Sequence, residues 1–222
     1  MKKLLLTIFV TAGAVSASPV FAGAREEARL IEAAGVLEEL FAQRDTAIPD
    51  RLMARAYGIA VVPNVVKVGA VVGGRRGSGA MVVRDASGKF SGPIMISLTG
   101  GSIGWQIGVQ STDVVLVFTT RQGIEGITDG KLTLGADASV AAGPVGRAAS
   151  AGTDQSFSAE VYSYSRNRGL FAGVSLDGSV LAIDRKSNSK LYGRTAPAAD
   201  IIAGTITTDA AKQAAQKVID WV

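Results

Sequence analysis

The sequence predicts an α+β protein, a glycine-rich antiparallel β-sheet assembly, sandwich or barrel-like, flanked by N- and C-terminal helices. Two textures carry this expectation. From Gly58 to about Asp184, roughly ten short runs rich in valine and isoleucine alternate with glycine-containing turns, the pattern of an antiparallel core. On both sides lie segments whose apolar residues recur at helical spacing. A chain of 222 residues, 47% hydrophobic and 19% charged with 27 glycines, has the size and composition of one domain.

The elements follow in order. Lys2 and Lys3 precede an apolar run from Leu4 to Val15 and a small-residue exit, Val20-Phe21-Ala22. This is a secretory signal peptide pattern, and cleavage is expected near Ala22, giving a periplasmic or secreted product. Thr7, Thr11 and Ser16 interrupt the run, which is shorter than the roughly 20 residues of a membrane span. With no cysteine there is no lipoprotein anchor. Residues 23–57 form an N-terminal helical segment, 58–195 a β-rich core and 196–222 a C-terminal helical segment, together one domain. From Ala24 to Ala42, Leu30, Ala34, Leu37 and Phe41 share one helix face, with glutamates on the others. A short helix after Pro49 buries Leu52, Met53 and Ala56.

Turn chemistry divides the β region. Asp177-Gly178 between GLFAGVSL and SVLAID, Asp85 to Gly88 and Asp129-Gly130 all read as tight turns, since an Asp-Gly pair supplies positive φ angles. Thr120 to Thr128 reads as a short helix or a loop. After Asp184 a turn-rich exit leads to a short helix at Ala198–Ala203. A last helix is capped by Thr208 or Asp209 and carries Ala211, Ala214, Ala215, Val218 and Val222 on one side.

Composition excludes much chemistry. Without cysteine or histidine the chain has no disulfide framework, no thiolate zinc site, no iron–sulfur cluster and no Ser-His-Asp triad. Gly100-Gly101-Ser102-Ile103-Gly104 matches the nucleophile-elbow pattern, but a strand follows where a helix should, so the glycines read as a tight bend. Ser187 and Lys190 match S-x-x-K in a stretch that reads as a turn, and the companion S-D-N and K-T-G elements are absent. Asp113, Asp137 and Glu160 lie on or beside strands, yet no spacing pairs two of them as a glycosidase requires. No metal site and no cofactor are implied.

Charge is more informative. Loss of Lys2 and Lys3 with the leader lowers the net charge from +4 to +2. Residues 23–57 hold five arginines against seven acids, whereas residues 58–195 hold 14 basic residues against nine acids. A basic middle suits an anionic partner. For an exported protein that means phospholipid or another anionic envelope polymer rather than nucleic acid. Gly73-Gly74-Arg75-Arg76-Gly77-Ser78-Gly79 lacks the ending and the helix of a nucleotide-binding loop, but two arginines on a glycine turn can grip a phosphodiester. Trp105, Phe90, Phe171, Tyr162, Tyr164 and Tyr192 suit either a lipid-contacting set or the core.

Several strings in order, GIAVVPNVVKVGAVVGGRRGSGAMVVR, FSGPIMISLTGGSIGWQIGVQSTDVVLVF, LTLGADASVAAGPVGR, VYSYSRNRGLFAGVSLDGSVL and LYGR, resemble the SYLF domain, also called the Ysc84 actin-binding-type domain. The resemblance covers about residues 48–205. It implies a lipid-binding module rather than an enzyme, with eukaryotic members that associate with phosphoinositide membranes and in some cases with actin filaments. Membrane binding in the family is attributed to a basic N-terminal segment. Residues 23–57 here are acidic, and actin is not expected as a partner of an exported chain.

The expected function is capture of anionic phospholipid, or a membrane surface, by basic side chains on the sheet and its turns. Arg75 and Arg76 lead the candidates, followed by Lys67, Arg147, Arg166 and Arg168. The alternatives are an interaction module with an envelope protein partner, a periplasmic acyl-chain carrier with an apolar pocket inside the sheets, and, more weakly, an outer-membrane barrel.

Overall fold

A computed structural model describes residues 23–42, 48–69, 72–85, 87–103, 108–145, 158–167 and 170–220. The leader, Trp105, Arg147 and Arg168 lie outside these residues. The elements are α1 (Ala24–Ala42), α2 (Asp50–Ala54), β1 (Gly58–Gly69), β2 (Val72–Val83), β3 (Ile94–Ile103), β4 (Gly108–Phe118), α3 (Arg121–Thr128), β5 (Lys131–Thr133), β6 (Val140–Ala142), β7 (Val161–Asn167), β8 (Leu170–Gly173), β9 (Val180–Ile183), α4 (Arg185–Tyr192), α5 (Ala198–Ile202) and α6 (Asp209–Ile219).

The nine strands form one curled, open sheet, a half-barrel, in the order β5-β9-β3-β2-β1-β4-β7-β6, with β8 also on β7. All pairings are antiparallel except β6 with β7, which is parallel. The α+β expectation holds. Residues 121–128 resolve as helix because the Thr120 hydroxyl accepts from the Gly123 amide. Thr208 caps α6 in the same way, through the Ala211 amide.

Four readings of local structure are corrected. Ser187 to Lys190 is helix, not turn, since Asp184 caps α4 by accepting from the Ser187 amide and Gly193 closes it with φ 66°. Gly100 and Gly101 continue β3 rather than bend it. Arg75 and Arg76 lie inside β2, not on a turn. Asp177-Gly178 does turn, with φ 74° at Gly178, but β8 and β9 do not pair with each other; β9 joins β3 and β5 instead. Isolated turn signals locate a reversal and leave the strand's partner open.

Valine-rich runs without alternation are explained by burial on both sheet faces. On one face Ala60, Val62, Ile96, Leu116 and Phe118 pack under Ile124 and Ile127 of α3, Leu191 and Tyr192 of α4 and Ile201 of α5. On the other, Ile59, Val61, Val82, Val115, Val117, Tyr162 and Tyr164 pack against α1, α2 and Val218 of α6. Helix α1 buries Leu30, Ala34 and Leu37 as expected, with Phe41 partly buried against the same cluster, and Ala33, Val36 and Leu40 complete the face. Tyr164 donates to the Pro144 carbonyl and Tyr192 to that of Pro93, and burial pushes both phenols well above their ordinary value near 10.

Two-sided packing stops at a bulge in β1. Pro63 and Asn64, between Val62, paired with Val114, and Val65, paired with Thr112, stand opposite the single residue Asp113, so β1 carries one extra residue. Asn64 adopts φ 51°, and its amide donates to Asp113 Oδ1 at 2.9 Å. Opposite the bulge, β2 has glycine where a side chain cannot fit. A Cβ on Gly77 would come within 2.6 Å of Val62 Cγ1, and one on Gly79 within 2.0 Å of the Val61 carbonyl oxygen.

Two outcomes follow. Gly79→Ala pushes β2 off the bulge and costs at least about 2 kcal/mol, a drop of about 4–8 °C in the thermal midpoint followed by circular dichroism. Tyr164 and Tyr192 stay neutral in the fold while unfolded tyrosine ionises near pH 10, so stability is complete below about pH 10 and falls as pH rises beyond it. Urea midpoints across that range check this, with Tyr192→Phe showing a shallower decline.

Candidate functional site

Beyond the bulge the four central strands run on as a tongue, formed by residues 65–69 of β1, 72–76 of β2, 99–103 of β3 and 108–112 of β4. Cross-strand register decides which side chains meet. One row places Gln110, Lys67, Arg75 and Gly100 side by side, and the adjacent row on the opposite face places Ser111, Val66, Arg76 and Thr99 together. One step further toward the hairpin ends lie Val109, Val68, Gly74 and Gly101.

The register therefore joins three of the expected cations, Lys67, Arg75 and Arg76, on neighbouring strands. Lys67 and Arg75 are half-buried and Arg76 is exposed. Arg75 Nε is buried with no hydrogen-bond partner, and burial pulls its guanidinium below the ordinary value. Such a cation is already partly stripped of water and gains more from an anion than a free surface arginine would. Gly100, across from Arg75, keeps the wall low, since a Cβ there would meet Ser179 Oγ at 2.8 Å.

Sequence reasoning missed the tongue's apolar component. Val66, Val68 and Val109 are 40%, 52% and 72% exposed, three of the five large exposed hydrophobics among the described residues. The alternation Val66-Lys67-Val68 was the available signal, hidden because the preceding run GIAVVP is buried on both faces.

The remaining candidates sit elsewhere. Arg166, on β7, donates from Nε to Asp113 Oδ2 at 2.7 Å and pairs with Glu39 of α1, so its charge is spent tying α1 and β7 to the bulge. Arg147 and Arg168 fall outside the described residues. Tyr162, Tyr164 and Tyr192 are core, and Phe90 lies under the Arg84 guanidinium at 4.4 Å. The carboxylates weighed as acids hold backbone: Asp137 accepts from the Thr133 amide and Glu160 from the Ser139 amide. Ser187 Oγ and Lys190 Nζ both face Glu26 Oε1, at 3.3 and 3.9 Å, and join α4 to α1.

This chain matches the family model described as Ysc84, Las17-binding protein actin regulator, over residues 99–221. It is 38% identical over 165 residues to LAS seventeen-binding protein 3 of Saccharomyces cerevisiae, covering 73% of this chain and 36% of that one. The chain belongs to the Ysc84 family. SH3 domain-containing YSC84-like protein 1 of Homo sapiens is 37% identical over 177 residues, 79% of this chain and 52% of its own. The yeast protein YSC84 is 35% identical over 179 residues, 79% of this chain and 38% of its own. The chain thus spans about half or less of the length of these relatives. The Ysc84-family names are those of binding and regulatory proteins, and none names a reaction.

Asp113 sets the geometry of this Ysc84-family site, because its two oxygens hold the bulge and Arg166. Asp113→Ala removes the acceptor of the part-buried Asn64 amide and of Arg166 Nε and destabilises by about 1–3 kcal/mol, measured by urea unfolding.

Proposed function

We propose that this protein is a non-catalytic module that binds anionic phospholipid through the tongue, and that it does so in the cell envelope after export directed by residues 1–22. The observation that supports the reading is the order of side chains along the tongue. Lys67, Arg75 and Arg76 lie one to two residues behind Val68 and Val109. At about 3.3 Å per strand residue, the valines reach about 3–7 Å further out than the cations. A tongue entering a bilayer end-on then holds its cations at the phosphate level while the valines enter the acyl boundary.

The magnitudes fit reversible binding. Each cation near an anionic surface contributes about 1 kcal/mol, so three give about 3 kcal/mol, near a hundred-fold preference over a neutral surface. The acidic helix α1 packs on the sheet and supplies no basic anchor, so the tongue takes the role that a basic N-terminal segment would otherwise fill.

Cosedimentation with vesicles of phosphatidylglycerol and phosphatidylcholine, against phosphatidylcholine alone, tests this. Binding is expected only to the anionic vesicles and falls with salt as screening shortens to a few ångströms. Arg75→Glu/Arg76→Glu reverses two charges and lowers binding by about a hundred-fold or more. Val68→Asp/Val109→Asp abolishes binding that survives high salt, whereas Arg185→Glu/Arg194→Glu, exposed and away from the tongue, changes little. Equal loss from both arginine pairs overturns the tongue as the site, and absence of binding to any vesicle overturns the lipid reading.

A further inference from the structure

A second anion-directed feature lies at the opposite end of the sheet. The Asp85–Phe90 hairpin, α3 and α5 leave a groove of about 540 Å³ between them. Its walls are Val83, Ile124, Ile202, Ala199 and Ala203, with Tyr57 at one rim. Past Tyr57 it opens into a polar lobe of about 630 Å³ flanked by Arg55, Arg84 and Arg121. The two lobes share Tyr57, Arg84, Asp85 and Arg121 in their walls. Both volumes fall within the range of about 300–1,000 Å³ usual for small-molecule sites.

The polar lobe is a prepared cationic wall. Arg84 is fixed by donating from Nε to the Ala56 carbonyl at 2.7 Å and from Nη1 to that of Gly88 at 3.1 Å, with its plane over Phe90. Arg55 and Arg121 are exposed, and neither has a carboxylate within salt-bridge distance among the described residues. The one acid on this lobe, Asp85, is consumed by its own turn: it accepts from the Ser87 amide and hydroxyl and from the Lys89 amide. Those bonds, the Ser87 hydroxyl foremost, all fall on Oδ1 and hold its carboxyl below the ordinary range, so one ionised acid faces three arginines on this lobe. Glu125 lines only the apolar lobe. Arg121 opens the first turn of α3, whose free amides add positive potential on the same side.

We infer that this two-lobed groove binds a single-chain anionic amphiphile, with the acyl chain between α3, α5 and the hairpin and the anionic head against Arg55 and Arg121. Charge complementarity and the joining of an apolar trough to a cationic mouth select this occupant. A neutral chain leaves Arg55 and Arg121 without a counter-charge, and a polar anion leaves the apolar walls wet. The site is separate from the tongue and does not depend on the bilayer reading.

Dansyl-labelled undecanoic acid serves as the probe, with fluorescence enhancement read on the full chain. Saturable binding is expected, displaced by dodecyl phosphate and only weakly by dodecanol. Ala203→Trp fills the groove from an exposed wall position and weakens the probe about ten-fold or more; Ala199→Trp does the same from the other side. Arg55→Glu/Arg121→Glu lowers dodecyl phosphate affinity about ten-fold or more and leaves dodecanol unchanged. Arg75→Glu/Arg76→Glu, aimed at the tongue, binds the probe as the unmodified chain does. Circular dichroism confirms that each variant is folded. Non-saturable binding, full affinity in both folded tryptophan variants, or loss of the probe in the tongue variant overturns the site.

Discussion

The arrangement at Asp113 governs the rest of the molecule. Its Oδ1 holds the Asn64 amide in the β1 bulge and its Oδ2 holds Arg166, which reaches Glu39 on α1. One buried carboxylate thus fixes the one described non-glycine residue with positive φ, the β4–β7 pairing and the seat of the N-terminal helix. A bulge adds a residue to one strand and increases its local bend and twist. Here it separates two regimes of the same four strands. Below it both faces are buried; beyond it most side chains meet solvent, and the sheet carries charge, with a desolvation cost at the half-buried Arg75.

That separation explains why polar and apolar groups sit where they do. Gly77 and Gly79 let β2 cross close to the bulge, where any Cβ would clash with Val61, Val62 or Val65. The strands then emerge with Arg75 half-shielded and Val66, Val68 and Val109 exposed, a combination unsuited to a protein interior. At the other end, the same strands terminate against short helices that do not close completely over the Asp85–Phe90 hairpin, leaving the apolar trough. Both features place arginine beside exposed apolar surface, which is the chemistry an amphiphile presents in reverse.

Family membership narrows the context without assigning the chemistry. The eukaryotic relatives extend well past the region shared here; their names speak of an SH3 domain and of LAS seventeen binding, and the family description adds actin regulation. Those properties belong to those proteins. Among the described residues, Asp137 and Glu160 hold backbone amides, and Ser187 and Lys190 are directed at Glu26.

The sequence by itself determined the α+β class, the terminal helices and the positions of the Asp85 and Asp177 reversals, and narrowed the last cap to Thr208 or Asp209, because caps, turns and periodicity are local and depend on a few adjacent side chains. It also singled out Lys67, Arg75 and Arg76. Tertiary structure decided the rest. Strand partners are non-local, so β9 beside β3, and β8 beside β7 instead of β9, could not be read from the Asp177-Gly178 turn. Arg75 and Arg76 were placed on a turn because four nearby glycines imitate one; the glycines are there for the close approach of β1. Arg166 and Arg76 were both candidates in sequence, yet one is matched by two carboxylates and the other projects into water. Charge type is local, whereas its availability depends on which distant residues the fold brings within hydrogen-bond distance.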